Sequence, residues 1–93
     1  MRAELLFDER HVLDIDKFVE IVIWRVPRPL RGSPHHFKYR LAFIVDGICV
    51  LRYDNEAGKG DHRHVGNTEK RYSFTTPEIL LRDFWSDVDR WRR

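Results

Sequence analysis

The sequence has little of what secreted and membrane proteins usually require. Its 93 residues contain a single cysteine, Cys49, so no internal disulfide can form, which favours a reducing compartment. Its apolar runs are far shorter than the roughly 20 residues that span a bilayer, and its charged N-terminus does not resemble a signal peptide. We therefore expect a cytoplasmic protein without a membrane segment. Cys49 lies in an apolar run and is expected to be a small buried side chain.

Acidic residues are missing from one long segment of the chain. Residues 21–45 contain no Asp or Glu, whereas residues 1–20 contain six acids and three bases. The formal net charge of the chain is only +2, so its positive charge is concentrated in this acid-free segment, in Arg25, Arg28, Arg31, Lys38 and Arg40. Such a block is a candidate footprint for nucleic acid, while a solvated face or an acidic protein partner are the alternatives.

Hydrophobic periodicity predicts one domain, residues 1–93, of the α+β class. Strand patterns cover 3–9, 18–26, 37–45, 48–54, 62–65 and 70–74. They favour an antiparallel sheet of about four to six strands, built as a meander of hairpins. Apolar residues at helical spacing from Leu80 to Trp91 predict one C-terminal helix packed on one sheet face. Either Thr75 with Glu78 or Thr76 with Pro77 caps this helix, and Asp83, Asp87 and Asp89 occupy its other side.

The strand over 18–26 is apolar on both faces, which suits a central strand covered on both sides or one buried by a partner. The proline-rich loop 27–36 follows it, and His35 and His36 at the end of this loop are expected to be exposed to solvent.

Asp46-Gly47 predicts a tight hairpin turn, because a type I′ turn needs positive φ at both residues. A two-residue turn fixes the register of the strands on either side. The expected pairs are Val45–Ile48, Phe43–Val50, Leu41–Arg52 and Tyr39–Asp54 on one face, with Arg40–Tyr53 and Lys38–Asn55 on the other. The basic strand would then lie beside the start of the polar segment 52–64.

Residues 52–64 hold the densest set of groups that bind phosphate or transfer protons. RNA cleavage without a metal needs a base, an acid and cations near the phosphate. His62 and His64 are the candidate acid–base pair, with Arg52 and Asp54 as further catalytic candidates. The residues expected to bind RNA or phosphate are Lys38, Arg40, Tyr53, Asn55, Lys59 and Arg63. If 62–64 is a strand, both imidazoles share a face and Arg63 points away.

Two other interpretations stay open for this segment. His62 and His64 with Asp54 or Asp61 form a two-histidine, one-carboxylate set that would suit a metal-dependent hydrolase. Alternatively, these residues are structural or solvated, and the protein binds nucleic acid or another protein without catalysis.

Arg52-Tyr53-Asp54-Asn55 followed by His62-Arg63-His64 resembles the TumE family of small toxins from prokaryotic toxin–antitoxin modules. The resemblance extends to Tyr39-Arg40 and to the closing helix with Phe84 and Trp91. It implies a growth-inhibiting toxin that acts on RNA, so we expect a small ribonuclease that needs no cofactor. It also implies a cognate antitoxin, commonly a helix-turn-helix DNA-binding protein.

A second copy of the chain, forming a homodimer, is a further candidate partner. The sequence departs from the family pattern between the two parts of the motif. Many relatives have extra histidines there, whereas residues 56–61 contain none. That departure weakens a role for metal and shifts weight towards Lys59.

Overall fold

The computed structural model describes residues 2–92, which form one antiparallel sheet and one helix. The six strands lie in chain order, so each pairs only with its neighbours in sequence. Their bounds are β1 Glu4–Asp14, β2 Lys17–Arg25, β3 Phe37–Val45, β4 Ile48–Asp54, β5 His62–Val65 and β6 Thr68–Arg71, followed by the helix α1 Pro77–Arg92. The predicted α+β class, the meander and the C-terminal helix are confirmed. The first strand is five residues longer at its C-terminal end than the predicted span 3–9, and the last strand lies earlier than 70–74.

The helix packs its apolar stripe on one face of the sheet. Leu80, Phe84 and Val88 repeat every four residues and are fully buried against strands β2, β3 and β4. The hydroxyl of Thr76 accepts a hydrogen bond from the Ile79 N–H at 3.1 Å, so Thr76 is the N-cap and Pro77 the first helical residue. Of the two predicted caps, the second is correct. None of the helical structure in residues 2–92 is long and apolar enough to cross a membrane.

The β3–β4 hairpin contains a bulge that the turn did not predict. Asp46 and Gly47 have φ of 51° and 76°, as a type I′ turn requires, and Val45 pairs with Ile48 as expected. The register then shifts by one residue at Val50. The observed pairs beyond it are Phe43–Leu51, Leu41–Tyr53, Ala42–Arg52 and Arg40–Asp54.

This one-residue shift reverses which face the β4 side chains occupy. The expected pairs Phe43–Val50, Leu41–Arg52, Tyr39–Asp54 and Arg40–Tyr53 are therefore wrong, and the backbone N–H of Asn55 bonds to the Tyr39 carbonyl instead of lying opposite Lys38. Leu51 and Tyr53 turn towards the helix. Arg52 and Asp54 turn to the opposite face of the sheet, which we call the open face, because no helix or strand of the described chain covers it.

Strand β2 contributes apolar side chains to both faces of the sheet. Val19, Ile21 and Ile23 are buried under the helix. The alternating residues Phe18, Val22 and Trp24 lie on the open face, where they are only partly buried. The doubly apolar pattern of this strand thus reflects one covered face and one face that is open in the isolated chain.

Cys49 is exposed, contrary to the expectation of a buried thiol. It lies next to the Asp46-Gly47 turn, beside Ile48, at an end of the sheet where the helix does not cover it. An apolar run next to a tight turn is therefore less buried than its composition indicates.

Candidate functional site

The open face brings together four residues of the polar segment. Across β4 and β5, Arg52 pairs with His64 and Asp54 with His62, so all four side chains project to the same side. His62 and His64 share this face as predicted for a strand, while Arg63 between them points towards the helix. We call Arg52, Asp54, His62, His64 and Glu69 the histidine cluster.

Hydrogen bonds assign different nitrogens to the two imidazoles. Arg52 Nη2 lies 3.2 Å from His64 Nε2. A guanidinium can only donate, so His64 Nε2 carries the lone pair. His62 Nδ1 lies 3.0 Å from the Gly60 carbonyl oxygen, which can only accept, so this nitrogen carries a proton. The two histidines are therefore not equivalent. His64 presents a hydrogen-bond acceptor at Nε2, whereas the donor at His62 Nδ1 is already bonded to the Gly60 carbonyl.

Asp54 holds Arg52 in place beside His64. Arg52 Nε lies 2.8 Å from Asp54 Oδ2, although its N–H is not aligned with that oxygen. Within residues 2–92, Arg52 Nε is the one buried side-chain polar atom that lacks a hydrogen-bond partner. The attraction between Asp54 and Arg52 is therefore mainly one of charge at close range.

Glu69 on β6 completes the cluster and was missed by the sequence analysis. Its Oε1 lies 3.7 Å from His62 Nε2 and its Oε2 lies 3.8 Å from His64 Nδ1. Register explains this position, because the Gly66-Asn67 turn places Glu69 opposite His64 and Arg71 opposite His62. The signal in the sequence was a two-residue turn between two short strands, which fixes cross-strand partners.

Cations surround the histidine cluster on the open face. On β3, Lys38 and Arg40 lie on the side nearer β2, and Arg40 is the cross-strand partner of Asp54. Arg71 lies on the opposite side, on β6. Among the described residues, none of these three cations forms an ion pair. This part of the open face therefore carries positive charge that is free to attract an anion.

Two of the residues expected to bind RNA lie on the helix side of the sheet instead. Tyr53 is buried there, and its hydroxyl donates a hydrogen bond to Asp87 at 2.5 Å. Arg63 Nε also donates to Asp87, at 2.6 Å, and Arg90 contacts the same carboxylate at 2.8 Å. Burial and the hydrogen bond to Asp87 raise the pKa of Tyr53. The positions of Tyr53 and Arg63 do not support contact with an RNA on the open face.

Asp87 is buried, although its spacing placed it with Asp83 and Asp89 on the side of the helix away from the apolar stripe. Burial of its carboxyl acts to raise the pKa, but hydrogen bonds from Arg63 and Tyr53 outweigh burial and hold the pKa of Asp87 below its usual value. A depressed carboxyl pKa stabilises the folded state above the unfolded pKa of about 3.9, and this stabilisation is lost as pH falls through the folded value.

Asp87→Asn is therefore expected to lower the unfolding free energy by about 1.5–3 kcal/mol at pH 7, since hydrogen bonds to a charged group are lost. The difference from wild type should shrink as pH falls below about 4, because the unfolded carboxyl is protonated first, and it is fully lost only below the lowered pKa of folded Asp87. Urea unfolding at pH 7 and at pH 3 measures both values. Asp89→Asn is the matched control, because Asp89 is exposed on the same helix. An equal loss for both variants at both pH values would contradict the role of Asp87.

A second polar network, centred on Asp61, is buried at the end of the sheet. Asp61 Oδ1 accepts a hydrogen bond from Ser33 Oγ at 2.5 Å. Its Oδ2 accepts from the Tyr39 hydroxyl at 2.7 Å and from His35 Nε2 at 2.6 Å. His35 Nδ1 accepts the Phe37 N–H, so Nε2 of this ring carries the proton. Burial and the hydrogen bond to Asp61 raise the pKa of Tyr39 well above its usual value.

Asn55 extends this network and is itself fully buried. Its Oδ1 accepts the Tyr39 N–H at 3.0 Å, and its Nδ2 donates to the Phe37 carbonyl at 2.7 Å. Asn55 therefore ties the loop after β4 to β3 and does not reach the open face. Of the remaining candidates for phosphate binding, Lys59 is exposed in this loop.

The network also corrects the expectation for His35. Its side chain is only 13% exposed and stacks on Phe74, with ring centroids 3.9 Å apart. His36 is exposed, as expected for both loop histidines. The proline-rich loop is thus fixed to the residue that immediately precedes His62.

The geometry does not assemble the predicted metal ligands. No three His, Cys, Asp or Glu side chains of residues 2–92 converge as a metal site. Asp61 is engaged by Ser33, His35 and Tyr39, and Asp54 is close to Arg52. Neither of the two predicted carboxylate ligands is therefore free to join the histidine pair; Glu69 is the carboxylate that lies near both imidazoles, at 3.7 and 3.8 Å.

Comparison with known proteins adds one finding. The family model described as Toxin TumE matches residues 2–92, nearly the whole chain. No curated protein matches, and no solved structure matches.

Proposed function

Because the chain belongs to the TumE toxin family and is thus the toxin of a toxin–antitoxin module, we propose that it inhibits growth by cleaving RNA without a metal ion. The observation that carries this proposal is the histidine cluster on an uncovered, cation-lined sheet face. His62 and His64 lie there beside Arg52, with Lys38, Arg40 and Arg71 around them.

His64 is the proposed general base. Its Nε2 carries a lone pair, and this nitrogen is at present occupied by Arg52. When a phosphate binds, the guanidinium of Arg52 turns to the phosphate oxygens and leaves Nε2 free. His64 then takes the proton of the ribose 2′-hydroxyl, whose oxygen attacks the adjacent phosphorus.

His62 is the proposed general acid. Its Nδ1–H is held by the Gly60 carbonyl, and its Nε2 faces Glu69, a neighbour that suits a protonated nitrogen. The P–O5′ bond breaks as His62 gives its proton to the departing oxygen, leaving a 2′,3′-cyclic phosphate and a free 5′-hydroxyl. Arg52 and Arg40 stabilise the negative charge that develops on the phosphate oxygens.

Asp54 and Glu69 position these groups instead of reacting. Asp54 restrains Arg52 at 2.8 Å, and Glu69 lies within 4 Å of both imidazoles. Lys38 on β3 and Lys59 in the loop before β5 extend the phosphate-binding surface, while Tyr53, Asn55 and Arg63 support the site from within the fold.

A toxin of this family has a cognate antitoxin as its partner. We propose that the antitoxin is a helix-turn-helix DNA-binding protein and that it covers the apolar part of the open face, where Phe18, Val22 and Trp24 are only partly buried. Coverage of this surface would also block the neighbouring cations. A second copy of the chain is the competing occupant, and light scattering of the isolated toxin separates the two.

The direct test combines an RNA cleavage assay in EDTA with growth on induced expression. We expect cleavage to persist in EDTA, and growth to stop unless the neighbouring gene is expressed together with the toxin. Cleavage that requires added metal would instead support a metal-dependent hydrolase. RNA binding that weakens with salt but gives no products would support a binding protein without catalysis.

A further inference from the structure

We propose that a cleft beside His62 binds the nucleobase of the nucleotide being cleaved; this inference rests on the proposed action on RNA. The cleft has a volume of about 290 Å³ and is open on one side. Its walls come from the proline-rich loop, the loop before β5 and the segment that joins β6 to the helix. The lining residues used in the argument are Gly32, Gly60, Asp61, Arg71, Ser73 and Phe74.

The position of the cleft connects it to the histidine cluster. Asp61 forms part of its wall and is the residue immediately before His62, and Arg71 at the cleft is the cross-strand partner of His62. A nucleotide whose phosphate contacts His62 and Arg71 can therefore place its own base in the cleft without moving the sheet.

Two glycines allow the two loops that line the cleft to touch each other. Gly32 and Gly60 have φ of 83° and 91°, and the two loops touch backbone to backbone. A Cβ at Gly32 would lie 2.5 Å from the Gly60 N, and a Cβ at Gly60 would lie 2.8 Å from the Gly32 O. Contact between the two loops therefore requires glycine at both positions, and this contact fixes the shape of the wall.

The rest of the lining suits a flat, partly polar ring. Phe74 is half-buried and stacks on His35, so the cleft ends at an aromatic surface. Ser73 is exposed and offers a hydroxyl that can both donate and accept. Ligand pockets usually measure roughly 300–1,000 Å³, so this cleft fits a group of nucleobase size rather than a longer segment. Bases stack on aromatic side chains in most recognition of single-stranded RNA.

Positive charge at the cleft suits the phosphate that accompanies a base. Arg71 is part of the lining. Arg31 and Lys59 precede the lining residues Gly32 and Gly60 in sequence, and both are exposed. The loops that form the cleft therefore carry further cations for the phosphates of an RNA chain.

The test measures how tightly the full chain binds each of four 3′-nucleoside monophosphates. Binding is followed by the shifts of backbone amide signals in NMR spectra. Inorganic phosphate and ribose 5-phosphate serve as probes that have the charge but no base. We expect at least one nucleotide to bind at least tenfold more tightly than ribose 5-phosphate and to shift the amides of Gly32, Gly60 and Ser73. Equal affinity for all probes, or shifts confined to Lys38 and Arg40, would overturn the base site.

Ser73→Trp is designed to fill the cleft, and Thr75→Trp is the matched control just beyond it, at another exposed position. The first variant should lose the tenfold preference for a base, whereas the second should keep it. Retention of the preference in Ser73→Trp would also overturn the proposal. Base binding does not depend on turnover. If nucleotides bind in the cleft but the protein cleaves no RNA, only the proposed ribonuclease activity is refuted. If the protein cleaves RNA but binds all probes with equal affinity, only the proposed base site is refuted.

Discussion

His64→Ala is expected to lower the rate of RNA cleavage by about 10²–10⁴-fold, the usual contribution of a positioned general base. The fold should survive this change. The side chain of His64 is partly exposed on the open face, and its polar contacts are with Arg52 and Glu69. His62→Ala should give a loss of the same order, because it removes the proposed acid. The measurement is single-turnover cleavage of a short RNA in EDTA, with circular dichroism to confirm the fold.

His11→Ala is the matched control for both variants. His11 is exposed, and it lies on the helix side of the sheet against Trp85, with ring centroids 5.5 Å apart. Its cleavage rate should stay close to that of the wild type. The double variant should not be much slower than either single variant, since residues that act as a unit are not additive. Cleavage by the double variant at near wild-type rate would refute the acid–base assignment.

Asp61→Ala is expected to have the largest effect on stability, about 3–5 kcal/mol. The change leaves three donors, from Ser33, His35 and Tyr39, without their acceptor in a buried site, and an unsatisfied buried donor costs about 1–3 kcal/mol. A loss of this size is a large part of the 5–15 kcal/mol that usually stabilises a domain. Urea unfolding followed by fluorescence measures it.

Asp61→Asn separates the role of the acceptor atoms from that of the side-chain volume. It keeps the shape of the side chain and one acceptor oxygen, so its loss should lie between those of wild type and Asp61→Ala. Glu56→Ala is the control, because it removes an exposed carboxylate from the same loop. An unfolding midpoint for Asp61→Ala equal to that of Glu56→Ala would show that the network does not stabilise the fold.

Local signals in the sequence predicted most of the fold. Strand patterns, the Asp46-Gly47 turn and the Thr76-Pro77 cap each depend on a few neighbouring residues, and the structure contains all of them. The bulge was missed because Val50 is an ordinary strand residue, and nothing in its type marks it as extra. Its register depends on the next strand as well, where the Gly66 N–H bonds to the Val50 carbonyl at 3.1 Å.

The sequence predicted that His62 and His64 share a face, but it did not predict Glu69 beside them or the inward positions of Tyr53, Asn55 and Arg63. The His-x-His spacing is enough to put both imidazoles on one face, and the structure brings Arg52 and Asp54 to that face. Asp61 and Asn55 gain their roles from residues more than fifteen positions away, such as Tyr39. Asp87 on the helix likewise gains its role from Arg63 on β5, which is 24 positions away. Contacts between residues so far apart leave no periodic signal in one sequence.

The bulge at Val50 takes up one extra residue of β4, and the side chains beyond it keep the faces that a shorter, regular hairpin would give them. Deletion of Val50 would leave a regular two-residue hairpin in which Leu51 still pairs with Phe43 and Arg52 with Ala42. Leu51 and Tyr53 would keep facing the helix, and Arg52 and Asp54 would keep facing the open side. A relative with one residue fewer between the Asp-Gly turn and the Arg-Tyr-Asp-Asn motif would therefore present the same side chains on the same faces.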